Sequence, residues 1–331
     1  MRVTQFSKYM PYLSNLEEIQ SRKYLNELRL STGKQIVDIS ETPDLLVQKK
    51  RFEHQINLHR QYKKNIEYAI NFVQHTSETL ETIANNVQKI REIAISATQI
   101  GAAQDVSTLG KQIRGILDDI INNLNSDFDG QFIFSGNLLT ADSIPQPPGS
   151  NNNLPFEIIE EIPTSDNPSG LKIIFKGNTK KIVINTGKFT SEALNTTADE
   201  LFSDTLLSDL NKIVDLYNLL VYNKNGVLRS ETDLFNTDDL SKLNIYQKEI
   251  GKMFDKLNRA NSRNGALINR LEVQKDQTNS LITVFEGYRS KVADADYAST
   301  AIKLTKDQST LQFALQVGAR LTQATLFDFL R

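Results

Sequence analysis

Between Leu45 and Gln99 the sequence reads LLVQKKRFEHQINLHRQYKKNIEYAINFVQHTSETLETIANNVQKIREIAISATQ, a run without glycine or proline. One heptad grid passes through its apolar side chains, which predicts a single helix of roughly 80 Å at 1.5 Å per residue. Helices of ordinary globular domains are much shorter, so the pattern favours coiled-coil-like packing against other long helices. The grid positions are Phe52, Ile56, His59, Ile66, Ile70, Val73, Leu80 and Val87.

Helical patterns also lie on both sides of this run. Near the beginning, Tyr9, Leu13 and Leu16 form an apolar stripe, and Pro11 is predicted to lie close to the start of that helix, where its missing N–H costs least. Polar residues occupy some seam positions of a second long heptad run, and such positions fix register and partner choice in coiled coils. The further predicted helices follow Gly101 up to Leu124 and span about 206–220, 236–290 and 291–331.

The middle of the chain, residues 141–202, is rich in proline and asparagine and is predicted to be a small β-rich domain. Within it, Leu171–Lys176 and Lys181–Asn185 flank a Gly-Asn pair and predict a β-hairpin with each other. Just before it, Asp129-Gly130 is a turn signal that leads into a short apolar strand, Gln131–Gly136.

The elements are arranged symmetrically about the middle of the chain, so helices from both halves flank the β-rich insertion. Sequence ends that both carry helical stripes can pair in space. We therefore predict a mainly α fold in which long antiparallel helices pack as a coiled-coil-like rod with the β domain at its tip. The predicted parts are terminal helices at 1–40 and 293–331, a helical rod domain with a hairpin at 41–140 and 203–292, and the β-rich outer domain at 141–202.

Composition excludes several function classes. The formal net charge of −2 gives no reason to expect a nucleic-acid partner. The absence of cysteine excludes disulfides, thiolate metal sites and cysteine nucleophiles. The sequence also lacks the apolar run that membrane insertion requires and the pattern of an ordinary secretory signal, so export would need a route without a cleaved signal peptide.

Catalytic, cofactor-binding and metal-ligating sets are not predicted. His54 and His59 lie five residues apart, which does not place both on one helix face. Residues 125–130 resemble the start of a calcium-binding loop, but Gly136 occupies the position that requires a bidentate glutamate. A hairpin turn is the favoured interpretation of that segment.

Three short motifs resemble those of the flagellin superfamily. Leu30-Ser-Thr-Gly-Lys34, followed by Pro43, is similar to the segment that joins the terminal helix to the rod in that family. Arg263-Asn-Gly-Ala266 with Asn269-Arg-Leu271 resembles its second signature, and Val292–Ala298 resembles the start of its C-terminal helix. Polar side chains of the second motif are either an ordinary helix surface or a contact that fixes register or a neighbouring subunit. The motif residues are Ser31, Gly33, Arg263, Asn264, Asn269 and Arg270.

Within the superfamily, Gln131–Gly136, Leu311–Gln316 and Leu326–Leu330 are similar to proteins that join hook to filament, whereas Ile302–Lys306 and Arg331 are closer to flagellin. The resemblance implies a non-enzymatic, extracellular subunit of the bacterial flagellum, exported without a cleaved signal peptide. The implied partners are copies of itself in a ring, a hook-side junction protein, flagellin, an export chaperone and the type III export apparatus. The alternatives are flagellin itself, a secreted coiled-coil adhesin or type III tip protein, and, as the weakest, an enzyme.

Both ends of the chain carry apolar side chains that a two-helix segment cannot fully cover. Full burial of each gains about 1.5–3 kcal/mol, while ordering the backbone costs about 1–2 kcal/mol per residue. We therefore expect the ends to become ordered when sister molecules surround them. The predicted assembly residues are Tyr9, Leu13, Leu16, Leu304, Leu311, Leu315, Leu326, Phe327, Phe329 and Leu330.

Overall fold

The computed structural model is mainly helical, and its small β-sheets lie in the middle of the chain sequence. It describes the backbone of residues 5–37, 42–99, 103–147, 150, 152–204, 206–230, 233 and 235–329, and the side chains of the same residues except 5–9, 99, 103–105 and 321–329. The helices are α1 Gln5–Thr32, α2 Pro43–Gln99, α3 Ala103–Leu124, α4 Ala198–Phe202, α5 Ser208–Val221, α6 Thr237–Ala293 and α7 Tyr297–Phe329.

Six short strands form three two-stranded antiparallel sheets. Each sheet pairs neighbours along the chain, β1 with β2, β3 with β4 and β5 with β6. The strands are β1 Asp127–Phe128, β2 Gln131–Phe132, β3 Phe156–Glu160, β4 Leu171–Phe175, β5 Val183–Asn185 and β6 Ser191–Ala193.

The chain divides into two compact units, and the first comprises Met1–Gln61 and Thr278–Arg331. In it α1 packs antiparallel to α7. The start of α2 meets the end of α6 through an aromatic group, in which the Phe52 ring lies 5.7 Å from the Tyr288 ring and 6.5 Å from that of Phe285.

The second unit, Tyr62–Gln277, contains the main hydrophobic core. The predicted heptad positions of α2 from Ile66 onward are buried there, together with Leu243, Ile250 and Leu257 of α6. Phe156 of β3 is buried in the same core, so the β strands and the helices share it. The prediction of a mainly α chain with long antiparallel helices and a small β region is confirmed.

Strand pairing in the middle of the chain differs from the prediction. The predicted hairpin between 171–176 and 181–185 is wrong, because β4 pairs backward with β3, and the Phe156 and Phe175 rings lie 4.9 Å apart. The segment that follows β4 does not turn back on it, since the Asn178 N–H donates to the Ser135 carbonyl at 3.0 Å.

Two smaller predictions also need correction. Pro11 lies inside α1 Gln5–Thr32, so the helix tolerates a missing N–H in its second turn rather than at its start. The apolar segment 131–136 contributes only Gln131–Phe132 to a strand, and Leu206 precedes α5 and is exposed.

Candidate subunit-assembly surface

Long-range side-chain bonds fix the register of α1 against α7. The Tyr12 hydroxyl donates to the Ala314 carbonyl at 2.8 Å, and Asn26 Nδ2 donates to Asp307 Oδ2 at 2.9 Å. Asn26 and Asp307 are both buried. Because buried polar groups are costly without partners, this bond favours one antiparallel register over its neighbours.

Two arginines surround that buried pair. The Arg29 guanidinium donates to Asn26 Oδ1 at 3.3 Å, and Arg22 Nε lies 3.6 Å from Asp307 Oδ1. The Asp307 carboxylate therefore has both an amide donor and a cation beside it, as a buried charge requires.

The first and third family motifs meet in space where α1 ends and α7 begins. Lys34 forms an antiparallel bridge with Asp294, the Gln35 N–H donates to the Ala293 carbonyl at 2.8 Å, and the Ala295 N–H donates to the Gly33 carbonyl at 2.9 Å. The Ser31 hydroxyl donates back to the Leu28 carbonyl within α1. The motif that follows α1 thus serves to hold the start of α7.

Gly33 occupies a position at which glycine is strongly favoured. Its φ is +68°, and the Gly33 N–H closes the helix by donating to the Arg29 carbonyl at 2.9 Å. A Cβ at this residue would lie 2.5 Å from the Tyr297 hydroxyl oxygen. The positive φ and the short distance to Tyr297 both explain why the motif contains glycine here.

We expect Gly33→Ala to lower the free energy of unfolding of the α1–α7 pair by about 1–2 kcal/mol, through the left-handed backbone and the contact with Tyr297. Amide exchange of α1 and α7 measures this. Gly287→Ala is the matched control, because its Cβ meets nothing within 4 Å and a helical alanine is favoured over glycine. Equal protection in the two variants would contradict the role given to Gly33.

The predicted assembly residues lie in two environments. Leu16, Leu304 and Leu311 are partly buried between α1 and α7, while Leu13 and Leu315 are 45% and 52% exposed. The others, Tyr9, Leu326, Phe327, Phe329 and Leu330, lie outside the residues whose side chains are described.

A second set of apolar side chains points away from the paired helix, and the sequence reasoning missed it. On α7, Ile302, Phe313 and Val317 are 71%, 67% and 52% exposed, and on α1 Met10 and Tyr24 are also exposed. Positions 302 and 313 lie about three turns apart, so they share a helix face. The spacing of Ile302 and Phe313 in the sequence could have revealed this exposed face. Exposed apolar residues along one face are typical of an interaction surface.

The second family motif lies on α6 in the unit Tyr62–Gln277. Arg270 pairs with Glu192 at 2.5 Å, beside β6. Asn264 is buried and its Oδ1 accepts from the Thr196 hydroxyl at 3.4 Å, whereas Arg263 and Asn269 are exposed. Two of the four residues thus hold α6 against the β5–β6 region, and two face outward.

The side chains that could serve in catalysis or metal binding are dispersed. Among the described residues, His, Cys, Asp and Glu do not form a group of three that could hold a metal ion. The His59 ring stacks on Phe285 at 5.5 Å, and burial lowers the pKa of His59. The segment 125–130 is a hairpin turn, with Asp129 and Gly130 both at positive φ. Within the described part of the chain, every helix is too short or too polar to cross a bilayer.

This chain resembles flagellins in sequence over part of its length, and it resembles solved flagellar proteins in fold over most of its length. Residues 5–138 match the family model of the bacterial flagellin N-terminal helical region. Flagellin 1 of Proteus mirabilis is 24% identical over 177 residues, which are 53% of this chain and 40% of that flagellin. The match therefore spans less than half the length of that relative.

Solved structures share the fold at low identity. A Vibrio parahaemolyticus protein assigned as flagellar hook-associated superposes with a TM-score of 0.60 at 16% identity, over 77% of this chain and 100% of that one. Flagellar hook-associated protein 3 of Legionella pneumophila superposes with a TM-score of 0.58 at 12% identity, over 73% and 98%. Residues 5–138 are therefore similar to the bacterial flagellin N-terminal helical region, and the chain shares its fold with solved flagellar hook-associated proteins, which confirms the resemblance to the flagellin superfamily.

Proposed function

We propose that this chain is a structural subunit of the bacterial flagellum that joins hook to filament and assembles through α1 and α7. The observation that carries the proposal is the outward apolar face of this helix pair, formed by Met10 and Tyr24 on α1 and by Ile302, Phe313 and Val317 on α7. The pair buries one side of each helix and leaves these residues in water. Sister molecules packed around the pair would cover them.

Each large apolar side chain that becomes fully buried contributes about 1.5–3 kcal/mol, and several lie on the same pair of helices. Assembly would also order whatever part of the ends is loosely held in the free subunit. We propose that 1–40 and 293–331 form the inner axial core, that 41–140 and 203–292 form a surrounding helical domain, and that 141–202 lies outermost.

The junction role is preferred to the filament role on fold, since the hook-associated structures are matched over nearly their whole length. Flagellin is the second candidate, favoured by the sequence match to Flagellin 1. The proposal requires no catalysis. Its remaining elements are export through the type III apparatus without a cleaved signal peptide, a cytoplasmic chaperone, and contacts with a hook-side junction protein and flagellin outside the cell.

Electron microscopy of a strain lacking this chain separates the two roles. For a junction protein we expect intact hooks without filaments, with flagellin shed into the medium. For a filament subunit we expect hooks without filaments and no flagellin in the medium. Antibody against the chain should label only the hook–filament boundary in the first case and the whole filament in the second. Wild-type filaments on the deletion strain would contradict both roles.

A further inference from the structure

A cleft of about 430 Å³ opens between α6 and the segment that follows β6, within the unit Tyr62–Gln277. Its walls are apolar and made partly of small side chains, while basic side chains line its rim. The apolar wall includes Leu194, Ala266 and Leu267, and the basic rim includes Lys181, Arg263 and Arg270.

Two of the three basic residues already have acidic partners. Lys181 Nζ lies 2.7 Å from a Glu200 carboxylate oxygen, and Arg270 lies 2.5 Å from Glu192. Each of these two pairs is electrically neutral. The net charge at the rim of the cleft therefore depends on the third basic residue.

That third cation is Arg263. It is exposed and makes no ion pair with another described residue, and the same is true of Arg259 one turn earlier on α6. Like charges four residues apart on a helix repel each other. The rim of the cleft therefore carries positive charge that the described part of this chain leaves uncompensated.

The lining of the cleft contains a buried donor that has no partner in the described part of the chain. Asn264 is only 5% exposed, and its Nδ2 finds no acceptor among the described residues, although its Oδ1 accepts from Thr196. A buried amide donor left unpaired is unfavourable and is expected to take an acceptor when one reaches it. A cation and a lone donor side by side suit a segment that brings a carboxylate and a main-chain carbonyl.

The same chain exposes a segment with this chemistry elsewhere. Residues 160–166, which begin at the last residue of β3, contain exposed Glu160, Glu161 and Asp166, and Ile162 is 87% exposed between them. Glu161 is paired with Lys172, which leaves Glu160 and Asp166 for another molecule, and Glu160 lies two residues before Ile162. An isoleucine this exposed suits burial in an apolar pocket.

We propose that residues 160–166 of one copy dock into the α6 cleft of a second copy. Ile162 packs against Leu194 and Leu267, the Glu160 carboxylate pairs with Arg263, and a main-chain carbonyl of the segment accepts from Asn264 Nδ2. Cleft and segment are different surfaces, so the contact is head-to-tail and repeats around a ring or along a helix. The inference rests on the proposed function, because it requires neighbouring copies in one assembly.

Cross-linking in the assembled flagellum tests the contact directly, since the chain has no cysteine of its own. Subunits carrying Ile162→Cys and subunits carrying Ala266→Cys are co-expressed in the deletion strain, and purified hook–filament preparations are treated with a short bismaleimide. We expect a covalent dimer only when both variants are present. Either variant alone is the control and should stay monomeric.

A charge swap provides a second measurement that does not depend on cysteines. Arg263→Glu and Glu160→Arg should each reduce the amount of chain in hook–filament preparations about tenfold, and the double variant should restore it. Glu272→Arg, an exposed charge reversal elsewhere on α6, is the matched control and should have no effect.

The outcomes separate the inference from the proposed function. Incorporation without a mixed dimer and without rescue by the double variant overturns the docking and leaves the flagellar role intact. A loss with Arg263→Glu but not with Glu160→Arg also overturns it, because the cleft would then hold a different partner. Absence of the wild-type chain from hook–filament preparations overturns both. If the cysteine variants fail to assemble, the charge-swap measurement alone tests whether the docking contact exists.

Discussion

Replacing Phe313 by aspartate should leave the subunit folded and remove it from the flagellum. Phe313 is 67% exposed on the outward face of α7, so its substitution disturbs few contacts within the chain, and we expect the free energy of unfolding to change by no more than about 0.5 kcal/mol. In the assembly the same side chain would be buried against a sister molecule. Aspartate there loses the apolar burial, about 1.5–3 kcal/mol per subunit, and adds the cost of an unpaired charge.

The measurement is the fraction of chain recovered in purified hook–filament preparations rather than in the culture medium, where unassembled subunits accumulate. Gln312→Asp is the matched control, because it places the same charge on the adjacent, exposed residue off the outward face. We expect at least about a tenfold loss of incorporation for Phe313→Asp and none for Gln312→Asp. Normal incorporation of Phe313→Asp would remove the observation on which the proposed function rests.

Replacing Lys176 by methionine should destabilise the β region by about 3–5 kcal/mol, the usual consequence of leaving one member of a buried ion pair alone. The Lys176 and Glu157 side chains are 1% and 6% exposed, and Lys176 Nζ lies 2.9 Å from Glu157 Oε2. Lys176 also donates to the Ser150 hydroxyl at 2.9 Å and to the Asn152 carbonyl at 2.6 Å. The amine therefore ties strands β3 and β4 to the loop that precedes them.

Lys172→Met is the matched control, because Lys172 lies in β4, which Lys176 directly follows, and forms a pair with Glu161 at 2.7 Å that is about half exposed. Exposed pairs contribute about 0–1 kcal/mol, so this variant should unfold in urea close to the wild type. Removing both buried charges, as in Lys176→Met with Glu157→Leu, should recover most of the lost stability. Equal urea midpoints for the two single lysine variants would contradict the buried-pair argument.

Local regularities explain which parts of the fold could be predicted. The heptad spacing of α2 and α6 predicted their bounds to within a few residues, because a helix satisfies its backbone within itself and repeats its buried face at fixed intervals. The Asp129-Gly130 turn was also predictable, since Asp-Gly is typical of the two-residue hairpin turn that has positive φ at both positions. The positive φ of Gly33 at the end of α1 could be predicted from local sequence in the same way. Its contact with Tyr297 could not, because Tyr297 is distant in sequence.

Strand pairing could not be predicted in this way. β4 could have paired with the segment before it or after it, because each offers apolar residues at the right spacing. β4 pairs with β3, and this pairing packs Phe156 into the helical core and brings Glu157 to Lys176. Both gains depend on residues distant in sequence, which a local pattern does not register.

The sequence alone determined the long helices, the glycine-dependent turns, the apolar ends and the flagellin-like motifs. All of these depend on properties repeated within a few residues or within one turn. Tertiary structure decided which strand β4 joins and which faces of α1 and α7 stay exposed. It also placed Arg263 in one cleft with Asn264 Nδ2, which has no acceptor among the described residues, because pairing, exposure and unmet hydrogen bonds are settled only when distant segments meet.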